Sequence, residues 1–525
     1  MNNTNNLFQQ KRILLAVVLS FLFFIVYDYF FIPKNPSKIS QNITKSEVKS
    51  QNSAPQANMQ PLEISKENVL QDSIIADVKG EHFEAKIDAL GRISSFYLKD
   101  KKYQNEKGES INLISKSKFP YPLEMRFSDN KINEEAFNTA YVSNFKELFI
   151  DENGSKALKL VQTLPSNLII EKNITFYPKG NYKIEVNLNK NTHYFISPGY
   201  RPDVAVDSYT VHGALTMDDK ETIHTFEDGK TDKEENMQNV WMTSAFDRYY
   251  ATFFYNFQKP LNIAISRDNQ ENPLIFAYSD NKFEAGGYIG SKEHVILRSI
   301  DSRLEAVVEY GWFTFIAKPM FVFLDFLHNH IGNWGWSIVV MVLIIRIILF
   351  PLTYKSMISM NKLKDLAPKM KELRERYKGD PQKMNIHMME LYKKHGANPM
   401  SGCLPILLQI PIFFAIYRVL LNAIELKAAP WAFWIHDLSV MDPYFVLPIL
   451  MGATMFVQQL ITPMTIQDPM QAKIMKFLPV IFTFFFITFP AGLTLYWFVN
   501  NLCSLIQQWV INKIFAKEHH KKQME

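Results

Sequence analysis

The sequence predicts a polytopic α-helical membrane protein with six transmembrane helices and an antiparallel β-sandwich outside the membrane. Three observations predict it. Five long apolar runs crowd residues 334–513, a sixth lies at residues 13–32, and the polar stretch 74–300 alternates with a two-residue period. The whole-chain figures, 47% hydrophobic residues but a mean hydropathy of only −0.11, average over these unlike parts. A net charge of +5 over 525 residues argues against a dedicated nucleic-acid binder, so no DNA partner is expected.

Lys11 and Arg12 precede the run Ile13 to Ile32, which is long enough to span a bilayer. No small-residue cleavage site follows, because Tyr27-Asp28-Tyr29-Phe30-Phe31-Ile32-Pro33 is bulky and aromatic, so residues 1–32 read as an uncleaved anchor. Residues 33–73, rich in Asn, Ser, Gln and Lys, read as a flexible tether. From 74 to 300, alternating runs such as Phe83–Asp88, Leu168–Phe176 and Tyr249–Tyr255 are separated by turn signals such as Asn153-Gly154 and Lys179-Gly180, the pattern of a sandwich. Residues 301–333 carry Trp312, Phe313, Phe315, Ile316, Phe321, Phe323, Leu324 and Phe326. They are expected to form an interfacial amphipathic helix, broken or kinked at Pro319.

Five further spans fit 334–354, 403–424, 443–461, 474–489 and 492–513. Between the first two, residues 355–398 predict a helical hairpin, Met357 to Tyr377 and Gln382 to His395, turned at Gly379-Asp380-Pro381. Its eleven Lys and Arg against five Asp and Glu, the basic tail 514–525, and a loop 425–442 with Lys427 as its only Lys or Arg place hairpin and both termini inside. The hairpin's basic surface suits a solvated cap, anionic lipid or ribosomal RNA, and charge alone does not choose. Cys403 and Cys503 both fall in or at apolar spans, which supports neither a disulfide framework nor a metal site.

Enzymatic motifs are not found: there is no H-E-x-x-H, phosphate-binding loop, nucleophile elbow or C-x-x-C. His328 and His330 stand two apart and do not share a helix face, His436-Asp437 reads as a turn, and His519-His520 lies in the tail.

Arg346 is the anomaly. It is the only charge between Ile331 and Tyr354, and a guanidinium within a span costs about 2.5–3.5 kcal/mol on insertion scales, so it faces a partner or a wet cavity by default. Snorkelling is the competing reading, but Lys355 is nine residues on, about 13 Å away along the helix, roughly twice the reach of the side chain. An ion pair is the other, and the carboxylates at hand, Asp28 and Glu425, read as interfacial. Gln409, Gln458, Gln459, Asn500 and Asn501, with Tyr417, Tyr496 and Trp497, supply polar groups at compatible depth on several spans. Singly each reads as an interhelical hydrogen bond; together with Arg346 they point to a hydrated indentation.

Tyr310-Gly311-Trp312, Gly332-Asn333-Trp334-Gly335, Pro351-Leu352-Thr353, Asn398-Pro399, Gly402-Cys403-Leu404-Pro405, Gln409-Ile410-Pro411-Ile412-Phe413, Trp434-Ile435-His436-Asp437, Asp468-Pro469-Met470-Gln471 and Pro490-Ala491-Gly492-Leu493 resemble the YidC/Oxa/Alb membrane protein insertases. The resemblance covers about 305–513 closely, and the anchor, tether and sandwich are similar, more loosely, to the Gram-negative form. It implies a bacterial inner-membrane protein with a periplasmic sandwich and a five-helix insertase core over 334–513, working without ATP or other cofactor. It also implies a groove open to cytoplasm and lipid, in which Arg346 is the charge, Gln409 and Gln459 are polar neighbours, and Tyr496 and Trp497 contact substrate. Trp497 departs from the tyrosine common there in the bacterial form. The implied partners are nascent membrane proteins, the Sec translocon, the ribosome and membrane lipids. A secondary transporter and a membrane-anchored periplasmic scaffold are the competing classes; no inverted repeat relates the apolar segments, which disfavours the transporter.

Overall fold

Strict alternation builds the first unit, which takes in residues up to 308. The computed structural model describes residues 70, 73–104, 108–207, 210–308, 310–396, 404–461 and 469–524. The predicted anchor and nearly all of the tether lie outside them. Along Ile169–Phe176 and Asn181–Leu188 every second side chain is buried, so each strand offers one face to a core. These strands belong to a large antiparallel sheet, and a four-stranded sheet carries Ile74–Lys79, Phe83–Asp88, Ile93–Leu98 and Glu147–Phe149. Phe83 stacks on Phe96 within the small sheet and meets Phe176 of the large one at 6.4 Å, which marks the sandwich core. One pairing departs from the antiparallel expectation: Ile74–Lys79 runs parallel to Glu147–Phe149. Two short helices, Asn130–Asn138 (α1) and His294–Ile300 (α2), complete the unit.

A cluster of five charged side chains is sealed into this sandwich. Arg92 donates to Asp88 at 2.8 Å and to Glu124 at 2.9 Å, and Arg126 donates to Glu124 at 2.9 Å. Two guanidiniums thus balance two carboxylates, and Lys172 is the fifth charge. Its Nζ donates to the carbonyls of Gly91 and Leu123 at 3.0 and 2.8 Å, from within the core. Burial pushes the Lys172 ammonium down to about 7, against partial support from Asp88. Between that value and an ordinary lysine pKa of about 10.4, the unfolded chain holds a proton that the folded chain has released. Stability contributed by this site therefore rises with pH across that window and is flat below it. A Lys172→Met variant loses this rise, which melting curves of both proteins from neutral to alkaline pH will show as a difference in slope.

The second unit, from residue 309, is helical. Thr314–Ile331 (α3) is followed by Trp334–Arg376 (α4), Pro381–Lys394 (α5), Leu404–Asn422 (α6), Val446–Ile461 (α7), Pro469–Phe486 (α8) and Ala491–Met524 (α9). Several of these correct the expectations. Pro319 does not break α3: it is the sixth residue of the helix, where it deprives only the Phe315 carbonyl of a donor. Residues 302–307 form a 3-10 turn of the first unit, so the interfacial helix is shorter than 301–333. The span expected to end at 354 and the first hairpin helix are one 43-residue helix, α4, continuous through Pro351 and Pro368. The basic tail continues α9.

The hairpin packs α4 on α5 through Leu363, Leu366 and Met370 with Met388, Leu391 and Tyr392. Among the described residues, α4 is the one helix that is long and apolar enough to cross a membrane; α6 to α8 carry shorter apolar stretches. Their outward faces are greasy: Leu343, Ile347, Ile348, Leu460, Phe484 and Phe485 are all exposed. So many exposed large apolar side chains on α4, α7 and α8 belong against lipid.

At the other end, residues 423–445 close over the bundle. The backbone of Ala491 and Gly492 donates to the carbonyls of Val440 and Leu438. Buried Asp442 accepts from Trp434 Nε1, Tyr444 N and Leu447 N, which ties the loop to the start of α7. Trp431 lies on Gly335, where an added Cβ would sit 2.5 Å or less from the indole's Cβ, Cγ and Cδ1. Those atoms are near the Trp431 backbone and cannot swing away, so Gly335→Ala is expected to cost about 2 kcal/mol. A lowered melting temperature of the detergent-solubilised protein is the check.

Candidate functional site

Helix α9 is amphipathic in the inverted sense. Asn500, Ser504 and Gln508 are buried while Ile506, Trp509, Val510 and Ile514 are exposed. With Tyr496 and Asn512 these polar residues recur every fourth position, which puts them on one stripe about 24 Å long. Hydrogen bonds tie the stripe to its neighbours. Ser504 donates to the Asn500 carbonyl at 3.0 Å, and Asn361 of α4 and Gln508 both donate to Asn512 Oδ1, at 3.0 and 2.7 Å. Because Asn361 lies where α4 enters the hairpin, the stripe runs from mid-bundle to the hairpin base.

Arg346 meets the top of this stripe. Its Nε donates to Asn500 Oδ1 and its Nη2 to the Asn500 carbonyl, both at 2.9 Å. The guanidinium therefore turns inward to α9, which overturns the snorkelling reading. Glu425 is buried in the 3-10 turn Ile424–Leu426, at the end of the bundle. Beside Arg346 lies a cavity between α4, α6 and α9, lined by Arg346, Thr353, Gln409, Tyr496 and Asn500 with apolar Ile345, Leu349, Leu352 and Ile412. It leaves about 30 Å³ open to the centres of water molecules, enough for about two. Thr353 spends its hydroxyl on the Leu349 carbonyl.

Three of the five predicted site residues, Arg346, Gln409 and Tyr496, thus share one cavity, and two do not. Trp497 points instead into an aromatic cluster, edge-on to Phe413 at 4.5 Å and 5.2 Å from Phe486. Adjacent helical residues diverge by about 100°, so Tyr496 and Trp497 cannot face the same space. The indole keeps a donor there: Trp497 Nε1 is buried with no hydrogen-bond partner among the described residues. Gln459, on α7, does not line the cavity.

Sequence reasoning missed Asn500 as the guanidinium's partner, the continuation through Ser504, Gln508 and Asn512, and the buried Arg418 on α6. The four-residue spacing of polar groups was the available signal for the stripe. Arg418 was visible as a charge inside the span 403–424.

Two family models divide the chain: the YidC periplasmic domain over residues 76–323 and the 60Kd inner membrane protein over residues 326–519. The membrane protein insertase YidC of Campylobacter jejuni is 78% identical over 525 residues, covering 99% of each chain. That of Wolinella succinogenes is 51% identical, covering 98% of this chain and 96% of its own. A crystal structure of an active YidC insertase with its first transmembrane domain resolved aligns over 83% of this chain and 95% of its own, at 18% identity and a TM-score of 0.37. With two such relatives matched over nearly their full lengths, the chain belongs to the YidC family of membrane protein insertases.

Proposed function

We propose that this protein inserts nascent membrane proteins into the bacterial inner membrane through the polar stripe and cavity. The carrying observation is the inversion of α9, whose polar side chains point into the bundle and end at a guanidinium held by a neutral amide. Each unsatisfied backbone group of a polar segment costs several kcal/mol in hydrocarbon, and a wet groove shortens that dry path. Arg346 attracts acidic residues of the arriving segment, and the apolar outer faces of α4 and α8 guide its transmembrane part into lipid. In this reading hairpin and both termini are cytoplasmic, so the stripe opens to the cytoplasm and the loop 423–445 closes the periplasmic side. The first span, 13–32, anchors the sandwich in the periplasm. The Sec translocon, the ribosome and lipid headgroups are partners of the same reading, the last two through the basic hairpin and tail.

The test is photocrosslinking of a stalled nascent chain from probes at 346, 409 and 496, with probes at 459 and at exposed Phe433 of the closing loop as contrasts. Capture at the first three is expected. Capture confined to 433 would refute the path.

A further inference from the structure

We propose that the Arg346 cavity is a small-anion site, in which Arg346, Tyr496 and Gln409 hold a chloride-sized anion that an acidic side chain of an arriving segment must displace. The inference rests on the groove reading for its consequence, though not for the binding itself. Asn500 occupies Nε and Nη2 of the guanidinium but is neutral, so it positions the charge without cancelling it. Among the described residues no carboxylate lies within ion-pair distance of Arg346, and none lines the cavity. An uncancelled cation beside a small hydrated cavity draws an anion into it in place of water.

The remaining polar groups fit that ligand. Tyr496 is 3% exposed, and among the described residues neither its hydroxyl nor the Gln409 amide has a hydrogen-bond partner, although both line the cavity. Both acceptor oxygens of Asn500 are already used by Arg346. The lining residues can thus offer a guanidinium N–H, a phenol O–H and an amide NH₂ to one anion. Space for about two water molecules is enough for one halide ion. A lipid phosphate oxygen entering through the opening would present the same chemistry.

Excess ³⁵Cl line broadening by the purified full chain, in a maltoside detergent with chloride varied and no phosphate or carboxylate salt present, tests the site. Saturable broadening is expected, lost in Arg346→Gln and weakened about three- to tenfold in Tyr496→Phe, which keeps the ring and removes one donor. Gln459→Ala should leave it unchanged. Persistence of the full broadening in Arg346→Gln, or in a Tyr496→Phe protein that melts like wild type, would overturn the proposal. Broadening that disappears when phospholipid is added assigns the same site to lipid phosphate. The measurement is independent of insertion: if wild type binds halide but captures no nascent chain at 346, 409 or 496, the groove reading fails and the anion site stands.

Discussion

Arg346→Ala lowers insertion of substrates with Asp or Glu in their outer segment by about tenfold or more, and leaves neutral substrates within about twofold. The asymmetry follows from the geometry. A charge pair about 4 Å apart is worth up to about 4 kcal/mol at an effective dielectric of 20, and screening by a hydrated cavity still leaves the 1.4 kcal/mol that corresponds to tenfold. Alanine also strips Asn500 of its partner, but that loss is common to every substrate and cannot generate a preference. Arg346→Lys should fall between the two: it keeps the charge, but an ammonium cannot reproduce the two parallel donations to the Asn500 side chain and carbonyl. Pulse labelling with protease accessibility, in cells depleted of the native protein and complemented with each variant, measures the ratio. Equal insertion of acidic and neutral substrates by Arg346→Ala would remove the electrostatic role.

How far such a site can be read from sequence depends on what each residue's local pattern encodes. Arg346 stood out because a charge within an apolar run is costly wherever the helix points. Tyr496 and Trp497 could not be separated that way: which of two neighbours faces the cavity is set by the rotation of α9 against α4 and α6, a property of packing. Whether Gln459 on α7 lines that cavity is likewise a matter of packing, and it does not. The strands were legible where one face is buried, as in Phe83–Asp88, which forms over the expected residues. The parallel pairing of Lys79 with Phe149 across the intervening chain was not, because no local pattern specifies a distant partner. Lys172 is the instructive case. It lies in phase with Ile170, Ile174 and Phe176, so alternation already put it on the inner face. Only the structure supplied the two carbonyls and the balanced charges that let a lysine stay there.

Those charges lead to the second large effect. Arg92→Leu is expected to destabilise the sandwich by about 3–5 kcal/mol, a large part of the about 5–15 kcal/mol that holds a domain together. The guanidinium is 1% exposed, bonds Asp88 and Glu124 together, and lies 4.7 Å from the centre of the Tyr121 ring. Burial alone already pushes the Asp88 carboxyl above its ordinary range despite Arg92. Burial pushes Glu124 upward too, and there Arg126 and Arg92 together outweigh it and hold the carboxyl below its usual value. Without Arg92, Glu124 retains Arg126, whereas Asp88 keeps no guanidinium partner and must take up a proton or lose its burial. Limited proteolysis of the full chain should show the loss as rapid cleavage between residues 75 and 290. The membrane unit has its own core and a cavity built wholly from α4, α6 and α9, so insertion of a small single-span substrate should persist in Arg92→Leu and in a variant lacking most of 75–290. A periplasmic scaffold that merely used the helices as an anchor would behave in the opposite way. Insertion lost with the sandwich, while Arg346→Ala works like wild type, would move the function out of the membrane.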